Sequence, residues 1–237
     1  MEKLRKYLLI AAGGSGQRMQ SATPKQFLEL DGRPLIMHTL DAFLHYCNDI
    51  CITIVLPPEY RQLWEQLCIK CGFTVPHSVV DGGATRFASV RNGLEAIWES
   101  RPDSDTIVFI HDAARPFVSA ATIERCARLA AKTGSAIPVI TVAESLRMLS
   151  DGGSRHVDRS MFRIVQTPQT FRLSLIHAAY RQPEISLFTD DASVLETAGY
   201  KISLTEGNSE NIKITQPTDL LVASLLLKDK KQWEKIS

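Results

Sequence analysis

Gly13, Gly14 and Gly16 fall within four positions of the stretch LLIAAGGSGQRM. A turn stripped of side chains in this way lets backbone N–H groups approach an anion closely. Arg18 follows, and Lys25 comes after the turn-like SATP, so two cations stand just past the turn. That order suits a polyphosphate, with amides along the chain and side chains on the charged oxygens. Read without a ligand, the same residues make a tight strand-to-helix turn with two solvated cations. Neither common nucleotide fingerprint is present: G-x-x-x-x-G-K-[ST] is missing, and Met19 stands where the third glycine of G-x-G-x-x-G would fall. A nicotinamide dehydrogenase is therefore the poorest fit.

Three further segments carry residues of the right type. In HDAARP, Asp112 at a strand end can face a magnesium ion, a hydroxyl or a sugar, and Arg115 can grip a second phosphate. The plainer alternative is a helix cap and a surface arginine, and His111 reads as packed rather than basic. In DGGATR, Gly82 and Gly83 allow close backbone approach to a flat base, with Arg86 and Ser89 in the next helical turn. In NIKIT, Lys213 is a cation among β-branched neighbours; taken alone it reads as solvated.

These segments need a scaffold. Apolar, β-branched runs at 6–12, 50–56, 73–80, 105–111 and 135–142 predict mostly buried strands. Helical spacing lies between them: Leu35, Ile36, Leu40, Phe43 and Leu44 after Pro34; Phe87, Val90, Leu94, Ile97 and Trp98 after Gly83; Ile123, Cys126, Ala127 and Ala130 before Gly134. The alternation implies an α/β fold with a doubly wound, mostly parallel sheet, in which ligands bind beyond the carboxyl ends of the strands. Residues 145–166, with the polar turn SDGGS, predict a pair of strands projecting from that sheet and packing on something else, a second copy of the chain among the candidates. Helical patterns near 172–182 and 190–198, a strand at 200–206 and a last helix opened by Pro217 complete a single expected domain over 1–237.

Composition narrows the function. With 27 basic and 26 acidic side chains among 237 residues, the net charge of +1 gives neither a nucleic-acid footprint nor a polybasic membrane anchor. No run approaches the roughly 18 apolar residues of a membrane span, and the opening apolar stretch is shorter than the roughly 7 to 15 residues of a signal core. A cytoplasmic protein is expected. Cys47, Cys51, Cys68 and Cys71 loosely resemble a zinc framework, but strand and helix patterns around Cys51 and Cys68 favour ordinary packing.

Taken together, AAGGSGQRM, PKQF, DGGATRFASV, HDAARP, TPQTF, TDDAS and EGNSENIKIT resemble, in order and over nearly the whole chain, the 2-C-methyl-D-erythritol 4-phosphate cytidylyltransferases of the non-mevalonate isoprenoid pathway. The resemblance implies a Rossmann-like nucleotidyltransferase sheet, CTP and a small phosphorylated alditol as substrates, Mg²⁺ carried mainly by the CTP phosphates, and pyrophosphate as the leaving product. It implies that Arg18 and Lys25 stabilise the transition state, and that Lys213 and Arg159, in HVDRSMF, position the acceptor phosphate. Ala12, Gly13, Gly14, Gly16, Gly82, Gly83, Ala84 and Ser89 would bind the nucleotide; Asp112, Arg115, Ser145 and Thr167 would bind the acceptor. The segment 143–162 would be a dimerisation arm that lends residues to the pocket of a second subunit in a homodimer. Two departures stand out: Ala84 where the family often has aspartate, and Glu144–Ser145 where DT is common. A ribitol-5-phosphate cytidylyltransferase is the near alternative, since one methyl branch is worth only about 1 to 3 kcal/mol in a pocket. A nucleotide-binding module without catalysis is the distant one, and it would have no need of cations on both reactants.

Overall fold

The β-branched runs fold as strands because, buried on both faces, they satisfy their backbone only through neighbours. A computed structural model describes residues 5–13, 23–103 and 105–234, the last five as backbone alone. Its elements are β1 (Lys6–Ala11), β2 (Glu29–Leu30), β3 (Arg33–Pro34), α1 (Leu35–Tyr46), β4 (Cys51–Leu56), α2 (Arg61–Cys71), β5 (Ser78–Asp81), α3 (Arg86–Glu99), β6 (Ile107–Asp112) and α4 (Ala120–Thr133). There follow β7 (Ser135–Thr141), β8 (Leu146–Ser150), β9 (Gly153–Val157), β10 (Arg163–Val165), β11 (Gln169–Arg172), α5 (Leu173–Ala179), α6 (Asp191–Thr197), β12 (Leu204–Glu206) and α7 (Pro217–Glu234).

The main sheet runs β10-β7-β11-β6-β1-β4-β5, with β12 also paired to β7. β6, β1, β4 and β5 are mutually parallel, whereas β11 is antiparallel to both β6 and β7, and β10 to β7. Side chains alternate across β1 into two cores. Leu8, Ile10 and Ala12 pack with Met37, Leu40 and Phe43 of α1 and Ile123 of α4, while Tyr7 and Leu9 pack with Phe87, Val90 and Leu94 of α3 and Ile176 of α5. Gly134 ends α4 with φ +92°, as expected of a glycine in the left-handed region.

The register decides where a site can form. Ala11 sits opposite Val55 and Asp112, and Leu56 opposite Asp81. The carboxyl ends of β1, β4, β5 and β6 therefore share one rim, which brings the loops after 12, 81 and 112 together.

Several expectations need correction. The strand expected at 73–80 is confined to Ser78–Asp81; Pro76 has no N–H to give a ladder, and His77 instead accepts from the Trp64 indole at 2.9 Å. The strand at 200–206 shortens to Leu204–Glu206. The projecting pair is narrower than the 145–166 expected: β8 and β9 form a separate two-stranded hairpin over 146–157, and β10 returns to the main sheet against β7. Nothing in the sequence reading gave the antiparallel β11, or the small β2–β3 hairpin whose turn places Asp31 at φ 54°.

Candidate active site

At the rim lies a cleft of about 300 Å³. Its walls include Ala12 and Gly13 after β1, Gly83, Ala84 and Ser89 after β5, and Asp112 at the end of β6. Among the described residues the ionisable side chains lining it are Lys25, Arg86 and Lys213 against Asp112, and with Arg86 paired to Asp191 behind the wall the balance stays positive. Such a balance in a partly enclosed site favours a polyanion. Of the residues read from sequence, Gly14, Gly16 and Arg18 lie outside the described residues.

The second glycine loop is shaped from within. The Gly82 N–H donates to Leu56 O at 2.8 Å, and Ser89 Oγ accepts from the Gly83 N–H at 3.1 Å. A Cβ on Gly83 would stand 2.4 Å from Ala88 Cβ and 3.1 Å from its carbonyl carbon, inside α3, which Thr85 caps by accepting from Ala88 N–H. The loop can only give way by moving backbone out toward the cleft. Gly83→Ala is therefore expected to raise the KM for the nucleotide by on the order of tenfold or more, with kcat less affected; steady-state kinetics check this.

Asp112 is the hinge of the charged wall. Lys213 Nζ lies 2.9 Å and Arg115 Nε 3.3 Å from its Oδ2. Burial pushes this carboxyl upward, but Lys213, Arg86 and Arg115 outweigh it and hold it well below the usual carboxylate range. Arg115, expected to grip a phosphate, turns away from solvent: its side chain is 13% exposed, and Nη1 donates to Asn211 O at 2.8 Å. Asn211 Nδ2 donates to Thr167 O at 2.8 Å, and the Ile214 N–H donates to Ala114 O at 2.9 Å. These bonds bring the segment carrying Lys213 to β6 from about a hundred residues away in sequence. Lys213, far from being merely solvated, is paired and 38% exposed at the cleft.

Thr167 and His111 lie under the floor. The Asp112 N–H donates to Thr167 Oγ1 at 3.1 Å, so that hydroxyl turns its own proton to His111 Nδ1 at 3.0 Å, and His111 Nε2–H donates to Arg115 O at 3.0 Å. His111 is fully buried, and burial drives its pKa down to about 4 despite the Arg115 carbonyl and Asp112. It is packed and neutral, as expected. Unfolded, it takes up a proton near pH 6.5; folded, it does not until about pH 4. Its contribution to stability is thus complete above about pH 6.5 and lost progressively as pH falls toward 4, by up to about 3 kcal/mol. Urea melts at pH 7 and 4.5 should show the loss, and His111→Gln should shrink the difference.

A cluster missed by the sequence reading holds Arg86. Its guanidinium donates to both oxygens of the fully buried Asp191, at 2.8 and 2.7 Å, and Tyr180 OH donates to Asp191 Oδ1 at 2.6 Å. Burial works against the Arg86 charge, but Asp191 outweighs it and raises the pKa. TDDAS was legible as a motif; its partner across 105 residues was not.

The two remaining expected residues lie outside the cleft. Arg159, in a 3₁₀ turn beyond β9, donates to Ala143 O, and Ser145 sits exposed just before β8. Among the described residues no group of three or more His, Cys, Asp or Glu side chains gathers as metal ligands.

A family model described as 2-C-methyl-D-erythritol 4-phosphate cytidylyltransferase matches residues 7–229. The chain belongs to that family. Curated cytidylyltransferases of this name from Bacteroides thetaiotaomicron and Porphyromonas gingivalis (strain ATCC 33277) are 47% and 49% identical, over 94% and 95% of this chain and 100% and 99% of theirs. The solved cytidylyltransferase of Thermus thermophilus superposes with a TM-score of 0.74 at 33% identity, covering 95% of this chain and 99% of that one. A crystal structure of a 4-diphosphocytidyl-2C-methyl-D-erythritol synthase gives 0.80 at 29% identity, covering 96% and 100%. The cytidylyltransferase fold thus runs from β1 into α7, and the cleft described above lies within the matched span.

Proposed function

We propose that this chain transfers the cytidylyl group of CTP to 2-C-methyl-D-erythritol 4-phosphate, releasing pyrophosphate and forming 4-diphosphocytidyl-2-C-methyl-D-erythritol. The observation that carries this reading is the convergence of Lys25, Arg86 and Lys213 on one cleft beside the Gly13 and Gly83 backbones. A phosphate oxygen of the acceptor forms a bond to the α-phosphorus of CTP as the bond to the pyrophosphate oxygen breaks, with no covalent enzyme intermediate. Both reactants are anions, so alignment and fixed positive charge supply the catalysis.

In this reading the loops after β1 and β5 hold the nucleotide, through Ala12, Gly13, Gly82, Gly83, Ala84 and Ser89 together with Gly14 and Gly16. Lys25 and Arg18 meet charge growing on the phosphate oxygens. Lys213 draws the acceptor phosphate to the rim beside Asp112. Arg115 and Thr167 act from beneath, one holding the Lys213 segment and the other the end of β6. Asp112 is the carboxylate lining the cleft among the described residues, with Lys213 and Arg115 on its Oδ2, and it would be the protein's contact to a Mg²⁺ ion held mainly by the CTP phosphates; such an ion, which takes few protein ligands, would neutralise phosphate charge.

Arg159 and Ser145 reach a cleft in this scheme only in a homodimer, across to the partner's site. Met148 and Leu149 of the hairpin, with Met161, Phe162, Ile164 and Val165 beyond it, are exposed apolar side chains on one continuous stretch of chain, a composition that marks an interaction face. No helix among the described residues is long and apolar enough to cross a membrane, in keeping with a proposed place in the cytoplasm.

The deciding assay measures pyrophosphate release with CTP and methylerythritol phosphate, and separately with CTP and ribitol 5-phosphate. Turnover on the first at least tenfold above the second is expected. Equal or reversed preference would reassign the acceptor, and no turnover on either would leave a binding module.

A further inference from the structure

Gln26 stands beside Lys25 in the cleft wall and is 1% exposed. Its Nε2 donates to the Ala12 carbonyl at 2.7 Å, while its Oε1, equally buried, has no hydrogen-bond partner among the described residues. Chemistry fixes which end is which, since a backbone carbonyl only accepts and the amide must turn its nitrogen toward it. Ala12 is the residue at which β1 gives way to the first glycine turn, and its own N–H is held by Val55 O at 3.0 Å. The Gln26 amide therefore ties the short 3₁₀ turn Lys25–Phe27 to the point where the central strand ends. Behind it, Phe27 packs on Tyr60 and Trp64, which anchors the far side of the turn in the core.

A methionine would fill this space without the unpartnered Oε1, but it would leave the Ala12 carbonyl without the donor that Gln26 gives it. A buried oxygen without a partner costs stability, so what the amide returns lies in the one bond its nitrogen makes to Ala12 O. What the amide does supply is a fixed distance between Lys25 and the backbone of Ala12 and Gly13. We infer that Gln26 is a positioning residue for Lys25, holding its ammonium in register with the nucleotide phosphates; this rests on the role given to Lys25 under Proposed function. Misplacement of a catalytic group by about 1 Å can cost on the order of a hundredfold in rate, so a single hydrogen bond in this place has a large lever.

The test is a double-mutant cycle of Gln26→Met and Lys25→Ala, read as kcat/KM for CTP, with single-turnover measurements at excess enzyme for the slow variants. Gln26→Met alone is expected to lose about 10- to 100-fold while melting within about 4 °C of the parent, because it exchanges one unpartnered acceptor, Oε1, for another, the Ala12 carbonyl. In the Lys25→Ala background the same change is expected to cost less than about twofold. Full activity of Gln26→Met, or an equal loss with and without Lys25, would overturn the inference. A fully active Lys25→Ala variant would instead sink the role given to Lys25, an outcome the cycle separates from failure of Gln26 alone. Should Gln26→Met not fold, Gln26→Asn takes its place, since it keeps the amide but is one methylene short of Ala12.

Discussion

Lys213→Ala is expected to slow pyrophosphate release by about 10²-fold or more, the order of loss when a reactant is no longer held in line, and to leave the fold standing. The two halves of that statement have separate physical grounds. Lys213 lies at the cleft, within 2.9 Å of a carboxylate at the end of β6, where it can draw an acceptor phosphate toward the nucleotide. The ammonium is over a third exposed, which discounts its pairing with Asp112, and Arg86 and Arg115 also offset the burial of that carboxylate. Asp112 keeps Arg115, and the segment itself stays attached through Asn211 and Ile214. Unchanged turnover in a folded Lys213→Ala protein would remove Lys213 from the reaction. A collapse of the melting temperature would show that it serves the fold instead.

If the proposed homodimer holds, deleting residues 146–157 should have the second large effect, leaving a monomer by sedimentation and lowering turnover by about 10³-fold or more. The hairpin is two strands paired only to each other, and an isolated hairpin is marginal in water. Removing it takes little from the cores, which lie on the two faces of the main sheet, yet in the proposed homodimer it withdraws the segment leading to Arg159 from the partner's cleft. A deletion variant that is monomeric and fully active would refute shared sites. Mixing Arg159→Ala with Lys213→Ala protein gives a complementary readout, since subunit exchange regenerates an intact site in the mixed dimer if the arm crosses over.

What could be read in advance follows from how local each signal is. β1, β4 and β6 were legible because strands buried on both faces leave continuous apolar runs, and α1, α3 and α4 because one face repeats at helical spacing. β11 escaped because QTFR mixes polar and apolar residues and directly precedes a helix, so its helical continuation dominated the pattern. The site divides the same way. Glycine loops and Asp112 sit at strand ends and announce themselves, but Arg86 with Asp191, and Arg115 with Asn211, are joined only by the fold. Arg115 is the instructive case: its side chain type suggested a phosphate grip, while its bonds to Asp112 and Asn211 could be supplied only by the fold.

The shared hold of Lys213 and Arg115 on Asp112 also bears on selectivity among small ions. A visitor to Lys213 must displace a carboxylate that is already in place, so the net attraction it feels is the difference between two pairings. Monovalent anions such as chloride or acetate gain almost nothing from that exchange, whereas a doubly charged phosphate monoester does. Asp112 thereby acts as an internal competitor, keeping the rim clear of common cellular salts until a more highly charged guest arrives.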